Sequence, residues 1–177
     1  MAMHRGIWAA YFGLVAVCAV AVSLPALAGH ESGWHLNFGA TEQASAGDVG
    51  LPLYPGARPH KNNDHKNSGA HVWAEAGPFG LKVAVVELES NDAPDKVATF
   101  YRPALTRYGA LLDCSVATHA NQGHVSGELS CDTDKPERGE LLFKAGKDMD
   151  QHIVAIKPSG QGSIIDLVFV RLEGFGG

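Results

Sequence analysis

Residues 81–109, LKVAVVELESNDAPDKVATFYRPALTRYG, set a strand directly before a helix. The near-continuous apolar run Leu81–Leu88, broken by Lys82 and Glu87, predicts a strand in the interior of a sheet. Asn91 or Asp92 stands where a helix needs a cap, and Pro94 suits the first turn. Val97, Phe100, Tyr101, Ala104, Leu105 and Tyr108 then recur at helical spacing, which makes one apolar stripe. Gly109 is a natural stop. Pro103 removes a backbone bond from within, so the pattern predicts a kink there or a helix that ends and restarts.

Downstream, the period changes to that of strands. Leu111–Val116, His124–Cys131, Glu140–Ala145, Gln151–Lys157 and Ser163–Leu172 are separated by turn-forming stretches. Short connections predict an antiparallel meander. One amphipathic helix packed on such a sheet is a two-layer α+β domain, and this is the expected fold class. Upstream, Val72–Ala76 reads as a short strand that turns through Gly77–Gly80. Arg58–His71 is polar enough to be a mobile surface loop.

The N-terminus supplies an address. Arg5 precedes an apolar run from Ile7 to Leu24, followed by Pro25 and the small-residue box Ala26–Leu27–Ala28, the pattern of a secretory signal peptide cut after Ala28. An uncleaved membrane anchor is the competing reading. Cys18 is a poor lipidation site, because bulky Val17 precedes it. The chain therefore divides into a signal peptide (1–28), a flexible lead-in with a short strand at Trp34–Phe38 (29–50), a single domain (51–173) and a flexible tail (174–177). The expected location is the periplasm or the cell exterior.

Export decides the cysteines. Cys114 and Cys131 remain after cleavage, and in an oxidising compartment they are expected to form a disulfide. If they face each other across a hairpin, its centre falls between Gln122 and Gly123, where composition also places a turn.

Of the 177 residues, 14 are Lys or Arg and 19 are Asp or Glu, a formal net charge of −5. That balance argues against nucleic acid, and against an anionic membrane surface once the signal is removed. About 149 residues follow the cut, enough to bury one core.

Ligand-type side chains gather in the loop Arg58–His71. His60, Asp64, His65 and His71 carry imidazole and carboxylate groups suited to a divalent metal, although their spacing matches no closed site and a solvated polar loop is the simpler reading. Asp132, Asp134 and Glu140 fail the EF-hand pattern at Pro136 and Glu137. Gly160–Ser163 leads into a strand where a phosphate loop needs a helix. In Gly123–Gly127 the serine falls one place too late for a nucleophile elbow.

Tyr54-Pro55-Gly56-Ala57, followed by Asn91-Asp92-Ala93-Pro94-Asp95-Lys96-Val97, Phe100-Tyr101, Leu105 and Gly109, resembles a pattern in exported proteins of soil bacteria. Lys144–Gly146, Gln151–Val154 and Leu167–Val170 are similar to the same group, so the likeness spans about residues 51–172. It implies a fold and no assigned activity, cofactor or site residue.

The functional expectation is an exported, non-catalytic binding or envelope accessory module, its partner an envelope protein or a small ligand. Two other readings stay open. One is weak metal binding through the His-rich loop. The other is an enzyme whose groups converge only in three dimensions, for instance Asp166 or Glu87 with His152.

Overall fold

Three long strands give the molecule its frame in the computed structural model, which describes residues 36–61, 68–115, 127–131, 134 and 136–174. They are β4 (Phe79–Ser90), β7 (Asp150–Ser159) and β8 (Gly162–Glu173). Around them pair β1 (Leu36–Thr41), β2 (Arg58–Pro59), β3 (Gly69–Ala76), β5 (Leu112–Asp113) and β6 (Leu141–Lys147). All are antiparallel, in the order β1-β3-β4-β8-β7-β6-β5, with β2 also on β4. The interior position expected for Leu81–Leu88 is the one found.

The fold class needs correction. Half of the described residues lie in strands and 13% in helices, so the molecule is a sheet-dominated antiparallel fold and not the expected two-layer α+β domain. The difference lies in the lead-in and the polar loop. Leu36–Thr41 forms a full edge strand against β3, and Arg58–Pro59 joins β4. Eight strands are expected and eight are found among the described residues, but β1 continues through Gly39 to Thr41, β3 starts at Gly69 and β2 lies in the polar loop, because Gly39, Gly69 and Pro59 weaken the apparent β character there. Gly39 has a local reason: a Cβ there would meet the Trp73 ring at 2.0 Å.

Two helices pack on one face. α1 (Ala46–Val49) is a single turn closed by a capping box between Ser45 and Asp48, and it buries Val49 completely. α2 (Pro94–Leu105) presents Val97, Tyr101 and Leu105 to Phe143, Val154, Ile156, Ile165 and Leu167, all fully buried. Ala93 is its N-cap, without a side-chain bond. Asp92 is engaged elsewhere: it accepts from the Tyr54 hydroxyl at 2.7 Å and from Lys96 at 2.9 Å, while Ser163 donates to its carbonyl at 2.6 Å. Those two donors hold its carboxyl below the usual range, Lys96 contributing most. The Tyr54–Ala57 turn is thereby tied to the start of α2. The helix runs through Pro103 and ends at Leu105, ahead of Gly109.

The disulfide forms between Cys114 and Cys131, with Cα atoms 5.5 Å apart. The ladder around it differs from the expected hairpin. β5 pairs with β6, through Leu112↔Lys144 and Asp113↔Phe143, and the Cys114 amide donates to the Leu142 carbonyl at 2.8 Å. Residues 127–131 are not in a strand, and the turn at Gln122–Gly123 lies outside the described residues. A short Cα separation constrains a covalent link and leaves the ladder partner open, so the cysteine positions do not fix the strand register.

Alternation along the strands gives the sheet two unlike faces. The helix-bearing face carries the core. The other face is divided. Over β6, Lys144 reaches the Ser130 carbonyl and the Asp134 carboxylate, so the segment tied down by Cys131 covers that side. Over β1, β3, β4 and β8 the register aligns Phe38, Ala74, Leu81 and Leu172 in one row and Ala40, Val72, Val83 and Val170 in the next. A third row holds Ala70, Val85, Val168 and Ile153. None of these residues is buried, and none belongs to the core cluster.

Candidate ligand cleft

Where β4, β8, β7 and β6 end on the core side, the register sets four charged residues in one row: Lys82, Arg171, Asp150 and Lys147. Three are cationic and one is anionic. The row behind it is Ala84, Phe169, His152 and Ala145, all buried. α1 and the turn after α2 form the opposite wall. Between them is a cleft of about 430 Å³, lined also by Gly47, Asp48, Gly50 and Tyr108.

His152 forms the floor. It is 6% exposed, stacked on Tyr108 with ring centres 3.6 Å apart and planes at 15°, and set against Phe169 at 4.8 Å. The Tyr108 hydroxyl donates to the Gly50 carbonyl, which fixes the upper ring. Burial pushes the His152 imidazole below its ordinary pKa; Asp150 opposes that shift and Arg171 adds to it. The ring is therefore neutral at pH 7. Its Nδ1 is buried without a hydrogen-bond partner among the described residues.

The charges are unevenly satisfied. Arg171 donates through Nη2 and Nε to Asp150 Oδ2, at 2.9 and 3.1 Å. The other Asp150 oxygen is buried without a hydrogen bond among the described residues. Lys82 stands opposite Arg171 in the register, an arrangement of like charges that destabilises a sheet unless something neutralises it. It lies over the Phe169 ring at 5.7 Å. Among the described residues neither Lys82 nor Lys147 has an ion-pair partner. Asp48 is held below the ordinary carboxylate pKa chiefly by its hydrogen bonds from Ser45, and its Oδ1 lies 3.6 Å from His71 Nδ1. Three cations against Asp48 and Asp150 make the lining net positive, in a chain that is net negative overall.

The histidines expected to act together are separated. His60 lies on the face away from the helices, its Nδ1 3.2 Å from Glu89 and its Nε2 3.6 Å from Glu87. His71 lies on the helix-bearing face with Asp48. One ion cannot bridge the two sides of a sheet, so these two do not share a metal. Asp64 and His65 lie outside the described residues. Asp166 and Glu87 also face away from His152, and Asp166 pairs with Lys157 at 3.0 Å. Cys114, Cys131 and Asp134 bring ligand-type atoms within 4.8 Å, but the sulfurs are bonded to each other and Asp134 is paired with Lys144. Asp132 lies outside the described residues, and Glu140 accepts from the Glu137 amide at 2.7 Å.

A second groove of about 360 Å³ between Arg58 and Ser163 contains no unpartnered buried polar atom among its described lining residues. Compared with protein-family profiles, curated proteins and solved structures, the chain matches none. The disulfide is consistent with an exported protein.

Proposed function

We propose that this chain is an exported binding module, working in the periplasm or outside the cell, whose cleft takes a small anion bearing a carboxylate or phosphate group. The row Lys82·Arg171·Asp150·Lys147 carries the reading: two lysines without ion pairs among the described residues stand beside a guanidinium that one carboxylate already occupies. An anion between them would relieve the Lys82–Arg171 opposition. The volume falls in the range of small-molecule sites, and the buried His152 offers a hydrogen-bonding nitrogen at the floor. Binding rather than turnover is supported by the same ring: a general base needs an orienting partner, and none of the described residues supplies one to Nδ1.

Thermal unfolding in inorganic phosphate or citrate, against chloride at matched ionic strength, tests this. Both anions should raise Tm in the wild type and leave the double variant Lys82→Ala/Lys147→Ala unmoved. Equal Tm values in all three salts would remove the proposal.

A further inference from the structure

The sheet face away from the helices is apolar over three rows and has no cover among the described residues. At its centre are Val72, Val83, Val85, Val168 and Val170, each half-buried. On the opposite face of the same strands, Ala84, Val86, Leu88, Leu167 and Phe169 are at most 6% exposed. The margin on β1 adds Leu36 and Phe38, 73% and 74% exposed. An isolated chain gains little by placing branched aliphatic side chains where they remain wet.

We infer that this face is the contact between two copies of the chain, packed sheet against sheet about a two-fold axis. Three observations select that occupant. First, the three rows carry no charged residue from β1 to β7; where the third reaches β6, Lys144 is paired with Asp134, and in the flank Arg58 pairs with Glu89 at 3.3 Å, Lys157 with Asp166 at 3.0 Å, and His60 Nε2 lies 3.6 Å from Glu87. An isologous contact requires a surface that complements itself, and an uncharged array with a zwitterionic flank does so. Second, the described strand cations on that face, Arg58, Lys144 and Lys157, are paired with Glu89, Asp134 and Asp166, so none of them is free to recruit an anionic membrane. Third, strand spacing gives the array about 24 Å by 20 Å, hence about 500 Å² per copy and about 1,000 Å² for a pair. That reaches the lower bound of a specific interface and falls short of an obligate one, so the dimer is reversible.

Branched aliphatic rows also suit the geometry. Two twisted sheets pack with strands about 30° apart and interdigitate such side chains into a layer about 10 Å thick. The ligand cleft lies on the opposite face of each sheet, so dimerisation leaves it open.

The test is sedimentation equilibrium of the chain in the form its producing cell exports, over a wide concentration range. A monomer–dimer equilibrium is expected. Val83→Glu or Val170→Glu should raise the dissociation constant at least ~30-fold, while Leu53→Glu, at an exposed site outside the array, should leave it unchanged. Should a glutamate variant fail to fold, the unmodified chain still decides: the Val83 and Val170 methyl resonances should shift with protein concentration. A monomer at every concentration, a dimer indifferent to both substitutions, methyl resonances that do not move, or a monomer that binds phosphatidylcholine vesicles instead would each overturn the inference.

Discussion

The Tyr108 ring lies flat on the His152 imidazole, 3.6 Å between centres, and so closes one wall of the cleft onto its floor. The contact joins the turn after α2 to the middle of β7. It buries a titratable ring in its neutral form.

A pH dependence follows from that burial. The folded-state pKa of His152 is depressed below the ordinary 6.5, so as pH falls the unfolded chain takes up this proton first. The stability contributed is present above pH 6.5, declines as pH drops towards the folded pKa, and is constant below it. Glu140, raised by burial, has the opposite slope above its ordinary 4.5, so the comparison must be between variants. His152→Phe keeps both ring contacts and should flatten the decline, read as Tm from pH 8 to pH 5. An unchanged slope would show that the imidazole is not buried as described.

Gly50 should not tolerate a side chain. Its φ is +70°, and a Cβ would lie 3.0 Å from both His152 Nε2 and the Tyr108 hydroxyl oxygen. Gly50→Ala should therefore cost about 1–2 kcal/mol in urea unfolding. It should also weaken the response to phosphate, because Tyr108 must move. A neutral substitution would place the Tyr108 ring elsewhere.

The disulfide should matter more to stability than to the cleft. A bond spanning 17 residues contributes about 3 kcal/mol through the unfolded chain. Cys114→Ala/Cys131→Ala should lose about that much in chemical unfolding and keep its response to phosphate. Loss of the response with the fold intact would tie this region to ligand binding, against the present account.

The middle of this fold was legible because Leu81–Leu88 and the stripe from Val97 to Leu105 are long and strongly periodic. The edges were legible only in part: the strand expected at Trp34–Phe38 overlaps the first half of β1, while Gly39–Thr41 and Gly69–His71 carry glycine or polar residues whose strand character comes from pairing. The link between Tyr54 and Asp92 was hidden for a related reason: Asp92 has the chemistry of a helix cap, and only tertiary contact shows that Tyr54 takes it instead. Part of the cleft could have been found. Lys147 and Asp150 flank the Asp148–Met149 turn, and Asp150 and Arg171 stand equally far from the Gly160–Gln161 turn, so the two hairpins alone place the three in one row. Lys82 joins them through the β4–β8 register, which no local turn sets. The stack of Tyr108 on His152 is likewise long-range. The cysteine pairing was readable from compartment chemistry, whereas the ladder was not, since β6 outcompetes residues 127–131 as the partner of β5.

The central claim, an anion between Lys82, Lys147 and Arg171 above His152, is tested most directly by titrating the exported protein with inorganic phosphate and following its NMR spectrum. Saturable shifts are expected at the His152 ring protons, the Tyr108 ring and the Lys82 and Lys147 side chains, and they should vanish in Lys82→Ala/Lys147→Ala. Shifts that never saturate, or that centre on Arg58 and Ser163 instead, would contradict it.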